Sequence, residues 1–176
     1  LFKHAIIPDR NLFFDISASA GQIMEGDMAV AASLILRAAR IKAGVVRRDP
    51  LEKGQRRILN FGHTFGHVIE THYGIPHGLA VARGMTVAAE LSAWKGEMAH
   101  TELILMQGAL EDAGLLTAHQ LPAEVVRMIS RDKKSESGSV NFVLLRSVGR
   151  AVIRRISISE LEQFVSYYNE KESQSQ

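Results

Sequence analysis

The sequence predicts a mainly α, multi-helical domain that carries one small antiparallel β-hairpin. Three observations lead there. Apolar residues recur at three- and four-residue spacing through most of the 176 residues. Turn signals at Pro8-Asp9, Asp49-Pro50, Gly74 to Pro76 and Gly114 cut that pattern into helix-length pieces. Near the C-terminus the pattern changes: residues 140–146 and 150–156 are rich in β-branched side chains and are joined only by Ser147-Val148-Gly149, which reads as a hairpin. A lone hairpin is marginal in water, so it must pack on the helices.

Taken in order, Leu1 to Ile7 offers no capping residue and reads as the middle of a helix, ended by Pro8-Asp9, after which 11–18 starts another. Residues 28–42 place Val30, Leu34, Ala38 and Ile41 on one face, with Asp27 as the cap. Val45 and Val46 lead into the turn at Asp49-Pro50 and a charged loop, 51–55. A central helix follows and ends at Gly74 and Pro76. Residues 79–95 are apolar nearly all round, the pattern of a buried helix. Further helices cover 102–113, stopped by Gly114, and 122–130. The last helix, 159–169, has Ser159 and Glu162 in capping-box spacing. Trp94 and the methionines are assigned to the core. These elements make one domain, 1–169, followed by a polar, frayed tail, 170–176.

Composition excludes several classes. An apolar content of 46% and a charged content of 23% are those of an ordinary globular chain. A net charge of +2 is too small to argue for nucleic acid. There is no membrane-length apolar run and no signal-peptide pattern, and the chain has no Cys. Disulfides and thiol chemistry are therefore excluded, and a cytoplasmic setting is expected.

The stretch of greatest chemical content is R-R-I-L-N-F-G-H-T-F-G-H-V-I-E-T-H-Y-G-I-P-H-G, residues 56–78. If the whole segment is helical, Asn60, His63 and His67 stack on one stripe, and one turn earlier Arg56 joins them. Gly62 and Gly66, four apart, lie on another face where a missing Cβ lets a second backbone approach. A third imidazole, His77, opens the next element. Two histidines at i, i+4 suit a metal such as zinc, but the place after the first, where a zinc protease has Glu, is Thr64. Spacing alone leaves a ligand pair and a hydrogen-bonded surface pair about even. The cation and the amide on the same stripe favour a site. By default Lys3 snorkels from an apolar helix, Lys42 complements a helix C-terminus and Lys133-Lys134 form a solvated turn. His4, His72, His100 and His119 are treated as ordinary.

The run R-x-x-L-N-F-G-H-T-F-G-H-x-I-E, followed by H-G-x-A-V-A-x-G-M, resembles 3-dehydroquinate synthase, a sugar-phosphate cyclase of the shikimate pathway and aromatic amino acid biosynthesis. The likeness extends from L-F-K-H at the start to D-K-K and F-V-L-L near the end. It implies the C-terminal domain of a lyase that converts 3-deoxy-D-arabino-heptulosonate 7-phosphate to 3-dehydroquinate and phosphate. The implied sequence is oxidation by bound NAD, phosphate elimination, re-reduction, ring opening and aldol closure. The resemblance implies His63 and His77 as ligands of a divalent metal, zinc or cobalt. It implies His67 as the catalytic histidine and Lys3 as a contact to substrate hydroxyls. Arg56 and Lys42 would clamp the substrate carboxylate, Asn60 would hold the phosphate, and one of Lys133 and Lys134 would add a further phosphate contact. It also implies a homodimer for the full-length enzyme.

Three departures accompany the likeness. The family's third metal ligand, a Glu, falls one residue before Leu1. Its N-terminal NAD-binding domain has no counterpart in these residues, where no G-x-G-x-x-G segment occurs, so the chain alone is expected to be inactive. Leu79 stands where Glu is commonest after H-G. Two alternatives are another sugar-phosphate cyclase, such as a 2-deoxy-scyllo-inosose synthase, and a non-catalytic helical or metal-binding module.

Overall fold

Two adjacent helices, α5 (His63–Tyr73) and α6 (His77–Trp94), form a closely packed antiparallel pair. The computed structural model describes residues 1–115, 120–132 and 138–174. Ahead of the pair come α1 (Phe2–Ile6), α2 (Arg10–Ala18), α3 (Ala20–Met24) and the long α4 (Met28–Arg48). After it come α7 (His100–Asp112), α8 (Val125–Asp132), the strands β1 (Ser139–Ser147) and β2 (Arg150–Ser157), and α9 (Ile158–Gln174). The predicted fold class holds: among the described residues the only sheet is the antiparallel β1–β2 hairpin, in register with Leu144 opposite Val152 and irregular between Leu145 and Ser147.

Several elements form for the reasons the sequence suggests. Asp27 caps α4 by accepting from the Ala29 and Val30 N–H groups, and Asp9 caps α2 through the Leu12 N–H. Gly74 ends α5 with a left-handed φ of 62°. Twelve residues of α6 are buried, as its nearly continuous apolar pattern requires. The hairpin is not left alone: Phe142 of β1 lies 5.4 Å, centroid to centroid, from Phe65 of α5, and Phe65 lies 6.0 Å from Phe164 of α9. These three fully buried rings bind hairpin, central pair and last helix into one core.

Five expectations are corrected. Residues 56–73 are not one helix. Gln55–Asn60 forms a 3-10 turn, Phe61 breaks it, and α5 starts only at His63, because Gly62 adopts φ 78° to fit against Met85 and Val81. Arg56 and Asn60 thus belong to a separate element and leave the histidine stripe. The capping box of α9 is formed by Ser157 and Glu160 rather than Ser159 and Glu162: the Glu160 N–H donates to the Ser157 hydroxyl, and the Ser157 N–H donates to the Glu160 carboxylate. Helix α9 continues to Gln174, drawn on by Lys171, which pairs at 2.6 Å with the buried Glu90, so residues 170–174 are not a frayed tail. Helix α4 runs six residues past Lys42, and α3 was not foreseen. Finally, Met24 and Met28 are 72% and 74% exposed and lie outside the core, whereas Met85, Met98 and Met106 are buried in it.

Candidate functional site

The α5–α6 pair can approach closely because its contact face is glycine. An ideal Cβ on Gly84 would stand 2.1 Å from the Gly62 carbonyl oxygen and 2.5 Å from the Gly66 nitrogen. The reading of Gly62 and Gly66 as a face for backbone approach is met by a third glycine on the facing helix. This contact fixes where α5 presents His63 and His67 relative to His77 at the start of α6. The three rings form a triangle, with centroids 5.7 Å apart for His63–His67, 5.7 Å for His63–His77 and 6.3 Å for His67–His77.

A fourth group reaches the triangle from α1. The Lys3 ammonium lies 3.4 Å from His63 Nε2. Lys3 does not snorkel outward. The five-residue helix that carries it is held at its C-terminal end by the hairpin turn, where the Gly149 N–H donates to Ile6 O at 2.8 Å and the Ala151 N–H to Ile7 O at 3.1 Å. Glu102 of α7 secures that turn, accepting from the Val148 N–H at 2.9 Å and from Arg10 at 2.6 Å.

Electrostatics follow from this crowding of basic groups. Burial, and then the nearby charge of Lys42, lowers the Lys3 ammonium to about 8. Burial, and then Lys3, lowers His63 to about 4. His4, treated as ordinary from sequence, is lowered to about 4 by burial first and by Lys3 next. His4 lines, with Lys3, His63 and His77, a cavity of about 460 Å³ whose walls also include Phe2, Val81 and Met85. Lys42 of α4 is exposed yet near enough to bear on both Lys3 and His4.

The ring nitrogens show how far these residues suit a metal. His63 Nδ1 lies 3.2 Å from the Phe61 carbonyl, which can only accept, so the proton sits on Nδ1 and Nε2 keeps its lone pair. His77 Nδ1 lies 2.8 Å from Glu70 Oε2, which fixes the same tautomer. A carboxylate or carbonyl behind a ligating imidazole is the usual supporting arrangement of a metal site. His63 and His77 therefore fit as two nitrogen ligands. Among the described residues, no group of three His, Cys, Asp or Glu side chains is placed to hold an ion.

Arg56 and Asn60 gather around Glu52, a residue of the charged loop 51–55. Glu52 Oε1 accepts from Asn60 Nδ2 at 2.7 Å, and its Oε2 lies 3.8 Å from Arg56 Nε. Arg56 also donates to Pro50 O at 2.7 Å. Asp49 organises the turn, accepting from the N–H groups of Lys53, Gly54 and Arg56; these bonds, that from Arg56 foremost, hold its carboxyl below the ordinary range. An opposite charge four residues before Arg56 was the available signal for Glu52. Its backbone, at φ 55°, was not readable in advance. Lys133, Lys134 and His119 lie outside the described residues.

Comparison with known proteins identifies the family. The family model for the 3-dehydroquinate synthase C-terminal domain matches residues 1–135. A 3-dehydroquinate synthase from Xanthomonas campestris pv. campestris is 38% identical over 164 residues, covering 87% of this chain and 44% of that protein. The 3-dehydroquinate synthase of Psychrobacter cryohalolentis is 38% identical over 158 residues, covering 87% and 43%. The chain thus spans less than half the length of these curated relatives. Among solved structures, a 2-epi-5-epi-valiolone synthase from Streptomyces hygroscopicus subsp. jinggangensis 5008, with NAD+ and Zn2+ bound, has a TM-score of 0.82 at 22% identity over 97% of this chain and 49% of that one. A 2-deoxy-scyllo-inosose synthase complexed with carbaglucose-6-phosphate, NAD+ and Co2+ gives 0.65 at 24% identity over 75% and 40%. At such identities the likeness establishes the fold alone. The extent of the family match and the identity of the relatives decide the rest: the chain belongs to the 3-dehydroquinate synthase C-terminal domain family.

Proposed function

We propose that this chain is the metal- and substrate-binding half of a 3-dehydroquinate synthase, converting 3-deoxy-D-arabino-heptulosonate 7-phosphate to 3-dehydroquinate and phosphate. The observation that carries the reading is the convergence of Lys3, His63 and His77, from three different helices, on the wall of one cavity, with the His67 ring 5.7 Å from that of His63. In this reading the nucleotide is bound mainly by a further domain, and the full enzyme is a cytoplasmic homodimer.

The residues divide the work by chemistry. His63 and His77 would hold a zinc or cobalt ion through Nε2, with Glu70 behind His77. Bound NAD would supply a reversible hydride acceptor, and a metal held by His63 and His77 would supply Lewis acidity for vicinal hydroxyls. Lys3 hydrogen-bonds the substrate hydroxyls beside them. Lys42 and Arg56 attract the carboxylate, for which a planar guanidinium offers two parallel bonds. Asn60 donates to the phosphate, joined by one lysine of the 133–134 pair, and His67 moves a proton at the departing phosphate. In this scheme the described residues act as one domain that runs through α9 to Gln174.

The test is phosphate release from the heptulosonate phosphate, with NAD and a divalent metal present. The chain fused to its nucleotide-binding half should turn over, and the chain alone should not. In the fusion, His67→Ala should lower kcat by roughly 100-fold or more with little change in KM, as for a group acting in proton transfer. Arg56→Ala should chiefly weaken binding of substrate or of a carboxylate-bearing inhibitor. An inactive fusion, or robust turnover by the chain alone, would overturn the reading.

A further inference from the structure

The Glu52 carboxylate accepts a hydrogen bond from Asn60 and forms a longer ion pair with Arg56. One oxygen is 2.7 Å from the Asn60 amide nitrogen and the other is 3.8 Å from Arg56 Nε. These are the groups assigned above to the anionic ends of the substrate. A phosphate or carboxylate arriving at the same donors would meet a like charge within a few ångströms, and two anions so placed repel. We propose that Glu52 is a built-in anion: in the free chain its carboxylate accepts from Asn60 beside Arg56, and it is displaced when the phosphate of a ligand binds Asn60. The inference rests on the assignment of Asn60 and Arg56 to ligand anions.

Three further features suit displacement rather than a fixed support. The Glu52 side chain is 41% exposed, so solvent is open to it once it leaves. Its backbone is the only non-glycine with positive φ among the described residues, a conformation that costs energy for an L side chain. The turn also keeps its shape without the carboxylate. Asp49 holds three of its N–H groups, Arg56 bonds Pro50 O, and Arg57 Nε bonds the Glu52 backbone carbonyl at 3.2 Å. The side chain can swing away while the donors stay in place.

The experiment is an NMR titration of the whole chain with inorganic phosphate at constant ionic strength, following the Asn60 side-chain amide and the Glu52 carboxyl carbon. Displacement predicts that both move together and saturate at the same phosphate concentration, with the Glu52 carbon ending at the position of a solvated carboxylate. Glu52→Gln and Glu52→Gly should bind phosphate severalfold more tightly than the parent chain, and the Gly variant keeps the backbone conformation without penalty. If the Asn60 amide responds while the Glu52 carbon stays still, Glu52 is a fixed support that orients the amide, and displacement is refuted. If neither Asn60 nor Arg56 responds in any variant, the anion assignment itself fails, and the inference with it.

Discussion

Gly84 faces Gly62 so closely that a methyl group on Gly84 would lie 2.1 Å from the Gly62 carbonyl oxygen, inside any permitted contact. The neighbours at risk are backbone atoms of α5, which cannot step aside as the end of a flexible side chain can. The same crossing sets the distance between His63 and His77, so packing and site geometry are one property here.

Gly84→Ala should therefore cost about 1–3 kcal/mol or more through overpacking. Gly108, inside α7 with nothing within 4 Å of its Cβ position, is the matched control. Gly108→Ala should stabilise by about 0.5–1 kcal/mol, because alanine loses less freedom on helix formation. Urea denaturation of the two variants checks the pair. Equal effects would show that the α5–α6 crossing is looser than the structure has it.

The link between the hairpin and α9 makes a statement about acid. Lys95 bonds the Glu160 carboxylate, and the backbone N–H and hydroxyl of Ser157 add to it, lowering Glu160 to about 2. A carboxyl whose folded pKa lies below its unfolded value, about 4.3 for Glu, contributes stability above the unfolded value. That contribution fades as pH falls from there towards 2. The side chain is 36% exposed, so solvent screening keeps the effect small. Glu160→Gln should flatten the dependence of the urea midpoint on pH between 5 and 2, while leaving it parallel to the parent above 5. An unchanged acid slope would count against this pairing in solution.

The sequence conveyed the helices well where period and punctuation agree: Asp27, Gly74 and Gly114 mark real boundaries. It misled where two adjacent segments share one period. Residues 56–60 continue the apolar and polar spacing of α5, yet the close approach of α6 forces a left-handed backbone at Gly62 and turns them away. Both serines, 157 and 159, have a Glu three residues on, and only pairing with β1 selects Ser157 as the cap. In the site, His63, His67 and His77 were legible as side chains of one chemistry, but their convergence depends on the Gly62–Gly84 contact. His4 and Glu52 were hidden for a different reason. Nothing in their local sequence says that α1 is clamped by the hairpin turn, or that residue 52 takes a positive φ.

The most direct test of the site is a metal titration by calorimetry, with zinc, of the chain and of a version with one Glu added before Leu1. Two imidazoles alone should bind weakly, and the added carboxylate should tighten binding by about tenfold or more, as expected when a ligand or its close support is restored. In that tightened version, His63→Ala and His77→Ala should each abolish the gain, while His67→Ala should leave affinity within about threefold, because His67 acts on substrate rather than on metal. A His67→Ala variant that loses as much affinity as the other two, or an added Glu that changes nothing, would contradict the division of the three histidines on which the account depends.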